Sequence, residues 1–313
     1  MSWILVALVG YSFLAFSSLS DKFLLSEQRI GAPALYAFFI GLTSLPFLAL
    51  VPFGFVLFIP AAIATGVLSG FLFLYALLES YLAIKRSEVS RAAPLIGVTT
   101  VGFLFLLSMS SVVLSGKIVR LTDVLALALL AGGAMLLATG GHGVSGPGFV
   151  RYVLISGILF ALALVALKES YYFSDFATGF VWSKLGIVLA GASLFLFPSF
   201  RKDILSGHDR FEKPVKQKLG TAVFFFLNQV FGGLGTLAVS YSVSLGPATF
   251  VQGMEGVRYG LVFLLAMVLS ARFPAIFREH ISHRETIRKL CAIVFLALGV
   301  WLVSTGTGLE SFL

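Results

Sequence analysis

The sequence predicts an all-α membrane protein of about ten transmembrane helices, and three observations carry that expectation. Of 313 residues, 58% are hydrophobic and only 12% are charged, whereas an ordinary soluble domain carries about 25% charged residues. So few charges cannot clothe a water-exposed surface, so most of the surface must face lipid. Second, apolar runs follow one another along the whole chain, and at about 20 residues per crossing they leave no length for an extramembrane domain. Third, the charges gather in short connections between these runs.

Taken in order, the runs cover residues 3–25, 32–53, 57–83, 92–115, 121–140, 151–171, 175–198, 219–242, 247–270 and 287–305. The first opens MSWILVALVG, without the basic leader and small-residue cleavage site of a signal peptide, and is read as a retained span. The longest polar connection runs from Arg201 to Lys218, and a shorter one from Ala271 to Glu285. Gly141–Gly148, GHGVSGPG, consists of turn-formers at the midpoint of the chain. It is read as a linker at 142–150 between a first five-helix half, 1–141, and a second, 151–313.

The halves compare weakly but in order. Asp21-Lys22 near the end of the first span faces Lys168-Glu169 near the end of the sixth. Small residues recur in the third span (Gly66, Gly70) and the eighth (Gly232, Gly233, Gly235), where they would let helix backbones approach closely. The fourth opens SEVSRAAPLIGVTT and the ninth SLGPATFVQGMEG. With five spans per half the second half enters from the opposite side, giving inverted repeats, an architecture used by secondary transporters.

Over nearly its whole length the chain resembles the drug/metabolite transporter superfamily in its EamA-like branch. The features that match are two five-helix halves, short loops and the polar, Pro-bearing start of the fourth helix, Ser87 to Pro94. Each half also ends in that family's manner, a turn carrying Glu and then a helix ending in glycine. Glu279 and Gly299 hold those positions in the second half, and Lys117 replaces the Glu in the first. The resemblance implies export or exchange of a small metabolite by alternating access, without ATP.

Charge places the connections. Of 22 Lys and Arg, only Lys117, Arg120 and Lys168 fall in even-numbered connections, while Lys184 and Arg258 lie within spans and the rest in odd-numbered connections. Because cytoplasmic loops are enriched in Lys and Arg, this count puts both termini outside. The family resemblance implies both inside.

Ionised side chains at mid-bilayer cost about 2.5–3.5 kcal/mol on insertion scales, so they are the sharpest functional pointers here. Glu255 and Arg258 lie i, i+3 on one face of the ninth helix, with Gln252 one turn before and glycines at 253, 256 and 260. They read either as a substrate- or proton-binding group or as a self-neutralised structural pair. Lys184 is the other mid-span cation, suited to an anionic substrate or to pairing with a carboxylate such as Glu79. Asn228 and Gln229 can hydrogen-bond between helices. Asp21, Lys22, Glu88 and Arg91 are gate candidates at span ends, and Tyr36, Tyr75 and Tyr241 are candidate pathway residues.

No phosphate loop, HExxH or paired metal-ligand spacing occurs in the sequence, so neither an enzyme, a metal nor another cofactor is expected. A net charge of +8 is assigned to anionic lipid headgroups rather than to nucleic acid. Expected partners are a small-molecule substrate, the lipid bilayer and, as an option, a second copy in a homodimer. The cell membrane is the expected location. The alternatives are a lipid or lipid-linked precursor flippase on the same scaffold, an intramembrane enzyme, or a channel. The single cysteine, Cys291, is read as a buried packing residue.

Overall fold

The computed structural model describes residues 2–26, 33–84, 86, 89–114, 120–138, 148–206, 215–272 and 283–305, and among them there is no strand. The described helices are α1 (Ser2–Ser26), α2 (Pro33–Thr43), α3 (Pro60–Ile84), α4 (Val89–Leu114), α5 (Leu121–Ala138) and α6 (Phe149–Phe173). They continue as α7 (Phe176–Ser193), α8 (Pro198–Ser206), α9 (Val215–Leu245), α10 (Ala248–Gly253), α11 (Glu255–Arg272) and α12 (His283–Thr305). Among the described residues, five stretches are long and apolar enough to cross a membrane: Trp3–Ser20, Pro33–Leu50, Pro60–Ile84, Phe149–Phe173 and Phe176–Leu196.

Each expected apolar run falls on helix, with three differences. The second run leaves α-geometry at Thr43 and continues as a tighter 3-10 turn, Leu45–Leu50, with Pro46 in its first turn. The ninth is divided between α10 and α11 at Met254. The Arg201–Lys218 connection opens with a short helix, α8, whose Arg201 and Lys202 are exposed while Ile204 is buried. The central linker lies mostly outside the described residues. Within it Gly148 precedes α6 at φ +80°, a left-handed conformation that a side chain resists. The expected linker ends two residues early, because Phe149 and Val150 already belong to α6.

Small residues decide which helices touch. α3 lies along α6 and α7, α1 along α9, and α5 along α12; α4 also packs on α6, α1 on α11, and α2 on α7. At the α3–α7 crossing a Cβ on Gly70 would strike the carbonyl oxygen of Ser183, and one on Gly186 the backbone of Val67. Gly41 and Gly191 meet where α2 crosses α7. On α9, Gly235 admits Leu14 and the carbonyl of Gly10 from α1.

Hydroxyls add specificity to these dry contacts. On α6, Ser156 donates to the Ala76 carbonyl (2.8 Å) and Ser170 to that of Ala62 (3.0 Å), fastening α6 to α3 at two levels. Tyr11 donates to the Val251 carbonyl (2.8 Å) and Ser242 to that of Trp3 (2.7 Å). The largest buried apolar cluster joins Trp3, Tyr11, Leu127, Leu130, Phe250, Met254 and Leu296, drawn from α1, α5, α10, α12 and the turn at Met254. Many large apolar side chains face outward, among them Leu5, Leu106, Val150 and Leu189. Cys291 is exposed on α12, so its expected burial is corrected: it points away from the bundle.

Candidate functional site

Pro247 precedes α10, and the chain turns at Met254 before Glu255 opens α11. Helical periodicity then sorts this segment into two faces. On one, Gly253 packs on Leu130, Gly256 on Leu296 and Gly260 on Ile293, so the glycines seat α5 and α12 side chains. The other face carries Gln252, Glu255, Arg258 and Tyr259 toward α1 and α4.

On that second face the polar groups form one network. Gln252 Nε2 donates to Glu255 Oε2 at 2.5 Å, and Arg258 Nη1 lies 3.4 Å from Glu255 Oε1. Arg258 also donates from Nε (2.9 Å) and Nη2 (2.7 Å) to Ser18 Oγ on α1. Ser18 passes its own proton to the Leu14 carbonyl (2.7 Å), which leaves its lone pairs to the guanidinium. From α4, the Ala93 carbonyl accepts from the Tyr259 hydroxyl (3.1 Å). The Tyr259 hydroxyl and Glu255 Oε2 both border Gly97 of α4.

Gly97 of α4 is the wall opposite. A Cβ there would stand 3.3 Å from Glu255 Oε2 and 3.4 Å from the Tyr259 hydroxyl. The Arg258 and Glu255 side chains remain 28% and 17% exposed. Their neighbours are Ser18 of α1 and, through Tyr259 and Gly97, α4, so the charged pair sits at the meeting of α1, α4 and α11.

Tyr259 has one hydroxyl proton, and it goes to the Ala93 carbonyl. Glu255 is held by the Gln252 amide on one oxygen and faces the Arg258 guanidinium with the other.

Lys184 is the second centre. It is 6% exposed in the middle of α7, and its ammonium lies 4.9 Å from the Phe47 ring centre and 4.7 Å from that of Phe180. Contacts of this kind contribute about 0.5–2 kcal/mol each, against several kcal/mol to withdraw an ammonium from water. The expected alternative partner, Glu79, is not recorded against Lys184, and the cations whose charge it feels are Arg151 and Arg86. The two phenylalanines extend into a wider aromatic cluster: Phe47 meets Phe180 edge-on at 5.4 Å, Phe180 lies 5.2 Å from Phe176, and Phe176 meets Tyr241 at 5.0 Å.

The remaining expected residues separate. Asn228 is buried on α9. Tyr75 bonds Ser193 (2.9 Å) and so ties α3 to α7, and Tyr36 packs edge-on against Tyr81. Among the gate candidates Glu88 lies outside the described residues, as do the side chains of Asp21, Lys22 and Arg91. Glu279 and Lys117 also lie outside them. Lys168 donates to the Val243 (2.9 Å) and Gly246 (2.8 Å) carbonyls and caps α9. No group of three His, Cys, Asp or Glu that could hold a metal occurs among the described residues.

Sequence reasoning missed Ser18, Gly97 and Tyr259. Tyr259 was within reach of it, four residues after Glu255 on the same face. Ser18 and Gly97 carry no local signal, because their role depends on which helices α11 meets.

No family model matches the chain, and no curated protein matches it. Among solved structures 23 chains match. One, a crystal structure of a protein, aligns over 96% of this chain and 98% of its own, with a TM-score of 0.62 and 16% identity. At that identity the likeness is one of fold.

Proposed function

We propose that this chain is a secondary transporter that exports or exchanges a small metabolite by alternating access, built from ten spans in two inverted five-helix halves. The single observation that carries this reading is the network of Gln252, Glu255, Arg258 and Ser18, an ion pair held where α1, α4 and α11 meet among apolar helices. Neither member of the pair is fully closed off by its neighbours.

The helix pairings support the two-half reading. If each span is matched with the one five later, α3 against α6 becomes α9 against α1, and α4 against α6 becomes α11 against α1; both members of each pair occur. The pairs α2–α7 and α5–α12 join a span to its own counterpart, as elements on a two-fold axis would. The correspondence fails for α3 on α7, which has no equally close α2–α9 partner, and for α5 on α11, which has no equally close α12–α4 partner among the described residues.

Substrate and coupling proton meet at Glu255 and Arg258. The test is a thermal-stability screen of the purified protein against amino acids, nucleotides, sugars and lipid precursors, since a ligand that binds only the folded state raises its stability. A hit that is lost in folded Arg258→Ala and that exchanges against preloaded ligand in proteoliposomes is the expected result. A hit unaffected by that change would move the site off α11.

A further inference from the structure

We propose that Lys184 is an oxyanion-binding residue, and that the ligand it takes is a small organic anion. A carboxylate or phosphate would meet the ammonium, and an apolar body would lie against Phe47, the partly exposed ring of the pair. The inference rests on the transporter reading for what the site serves, while the binding itself is tested separately.

The argument is one of unmatched charge. An ammonium has three donors and no acceptor of its own, and Lys184 is more than nine-tenths buried. Yet its recorded neighbours are ring faces, which hold a cation but carry no net charge. No hydrogen bond or ion pair to Lys184 occurs among the described residues. Described carboxylates lie with other groups: Glu255 bonds Gln252 and Arg258, Asp175 accepts from the Thr178 amide at the start of α7, Asp123 lies beside Arg120, and the cations whose charge Glu79 feels are Arg151 and Arg86.

The surroundings suit a ligand in the missing role. Ser183 and Gly186 beside Lys184 are taken up by the crossing with α3, so this part of α7 is held in place by backbone contact. On the far side of the aromatic pair, Gly233 lets α9 pack closely on Phe47: a Cβ there would stand 3.2 Å from Phe47 Cζ. The adjacent Gly232 faces Ser17 of α1, next to the Ser18 that holds Arg258. The two cationic centres therefore flank the paired glycines of α9.

The experiment measures the melting temperature of the purified full chain in detergent with benzoate or phenyl phosphate, against benzamide as the uncharged match and chloride at equal ionic strength. The expected result is an upward shift that saturates with benzoate or phenyl phosphate, is absent with benzamide, and is lost in Lys184→Met. Without ligand, Lys184→Met should melt no lower than the parent, because it removes a buried charge that lacks a countercharge. Lys184→Arg should keep part of the shift. A shift equal for benzoate and benzamide, a shift that survives Lys184→Met, or a marked basal loss in Lys184→Met that Lys184→Arg repairs would each overturn the proposal. If the shift is lost as expected but proteoliposomes show no exchange, the anion site stands and the transporter reading falls. If exchange is present and indifferent to Lys184→Met, the transporter reading stands and this one falls.

Discussion

Arg258 commits three of its nitrogens inside the protein, two to Ser18 and one to Glu255. Hydrogen bonds to a charged group contribute about 1.5–3 kcal/mol, so Ser18→Ala, which leaves the guanidinium short of acceptors, should lower stability by about that amount in thermal unfolding. Ser18→Thr, which keeps the hydroxyl, should lose less. Glu255 makes a different prediction. Its partners can serve either protonation state, with Arg258 balancing the carboxylate and the Gln252 amide able to donate to a carboxyl oxygen in both. Glu255→Gln fixes the neutral form, so transport by that variant should lose its dependence on pH across the range in which the parent responds. An unchanged pH profile would remove Glu255 from coupling and leave Arg258 as a binding residue only.

At the scale of elements, close approach of backbones matters more than side-chain chemistry. The α3–α7 crossing depends on Gly70 and Gly186, each facing backbone atoms that cannot rotate away. Overpacking a tight contact costs about 1–3 kcal/mol, and here the helices themselves would have to separate. Gly70→Leu should therefore lower the melting temperature more than Gly102→Leu on α4, where no atom stands within 4 Å of a built Cβ. Lys168 works through a helix end. By bonding the Val243 and Gly246 carbonyls it satisfies acceptors that α9 leaves unpaired at its C-terminus. Lys168→Met should cost about 1.5–3 kcal/mol on the same grounds as Ser18→Ala, which thermal unfolding would register as a lower melting temperature.

For the whole molecule, the bond from Ser242 to the Trp3 carbonyl puts the start of α1 beside the end of α9. Lys168 reaches that same end of α9, so this basic residue of an even-numbered connection is occupied in capping rather than facing headgroups. Its removal from the loop tally sharpens the asymmetry of charge and favours an outside position for both termini. Exposed Cys291 makes this testable, since Cys291→Ser should leave the fold intact. In that background, Ser2→Cys should react with an impermeant maleimide from outside intact cells, and Lys202→Cys, on α8, only after permeabilisation. The reverse labelling would restore the orientation that the family resemblance implies.

The helical class and the positions of the apolar segments were legible in composition and run length, because a chain in lipid must satisfy its backbone within each segment. The spacing of Glu255 and Arg258 was equally local, and i, i+3 residues share a face in any helix. What that face meets was not local. The glycines at 253, 256 and 260 read as room for a neighbour or a ligand, and the fold assigns them to Leu130, Leu296 and Ile293. Lys168 read as an interfacial cation until α9 arrived beside it. Lys184 read as a candidate for pairing with Glu79, and the packing of α7 surrounded it with rings instead. Sequence by itself determined which residues lie in apolar helices and on which side of each helix they project. Only the tertiary structure decided which helices those sides face, because in apolar surroundings the choice of neighbour rests on close packing and a few directed hydrogen bonds, and both depend on residues far apart in the chain.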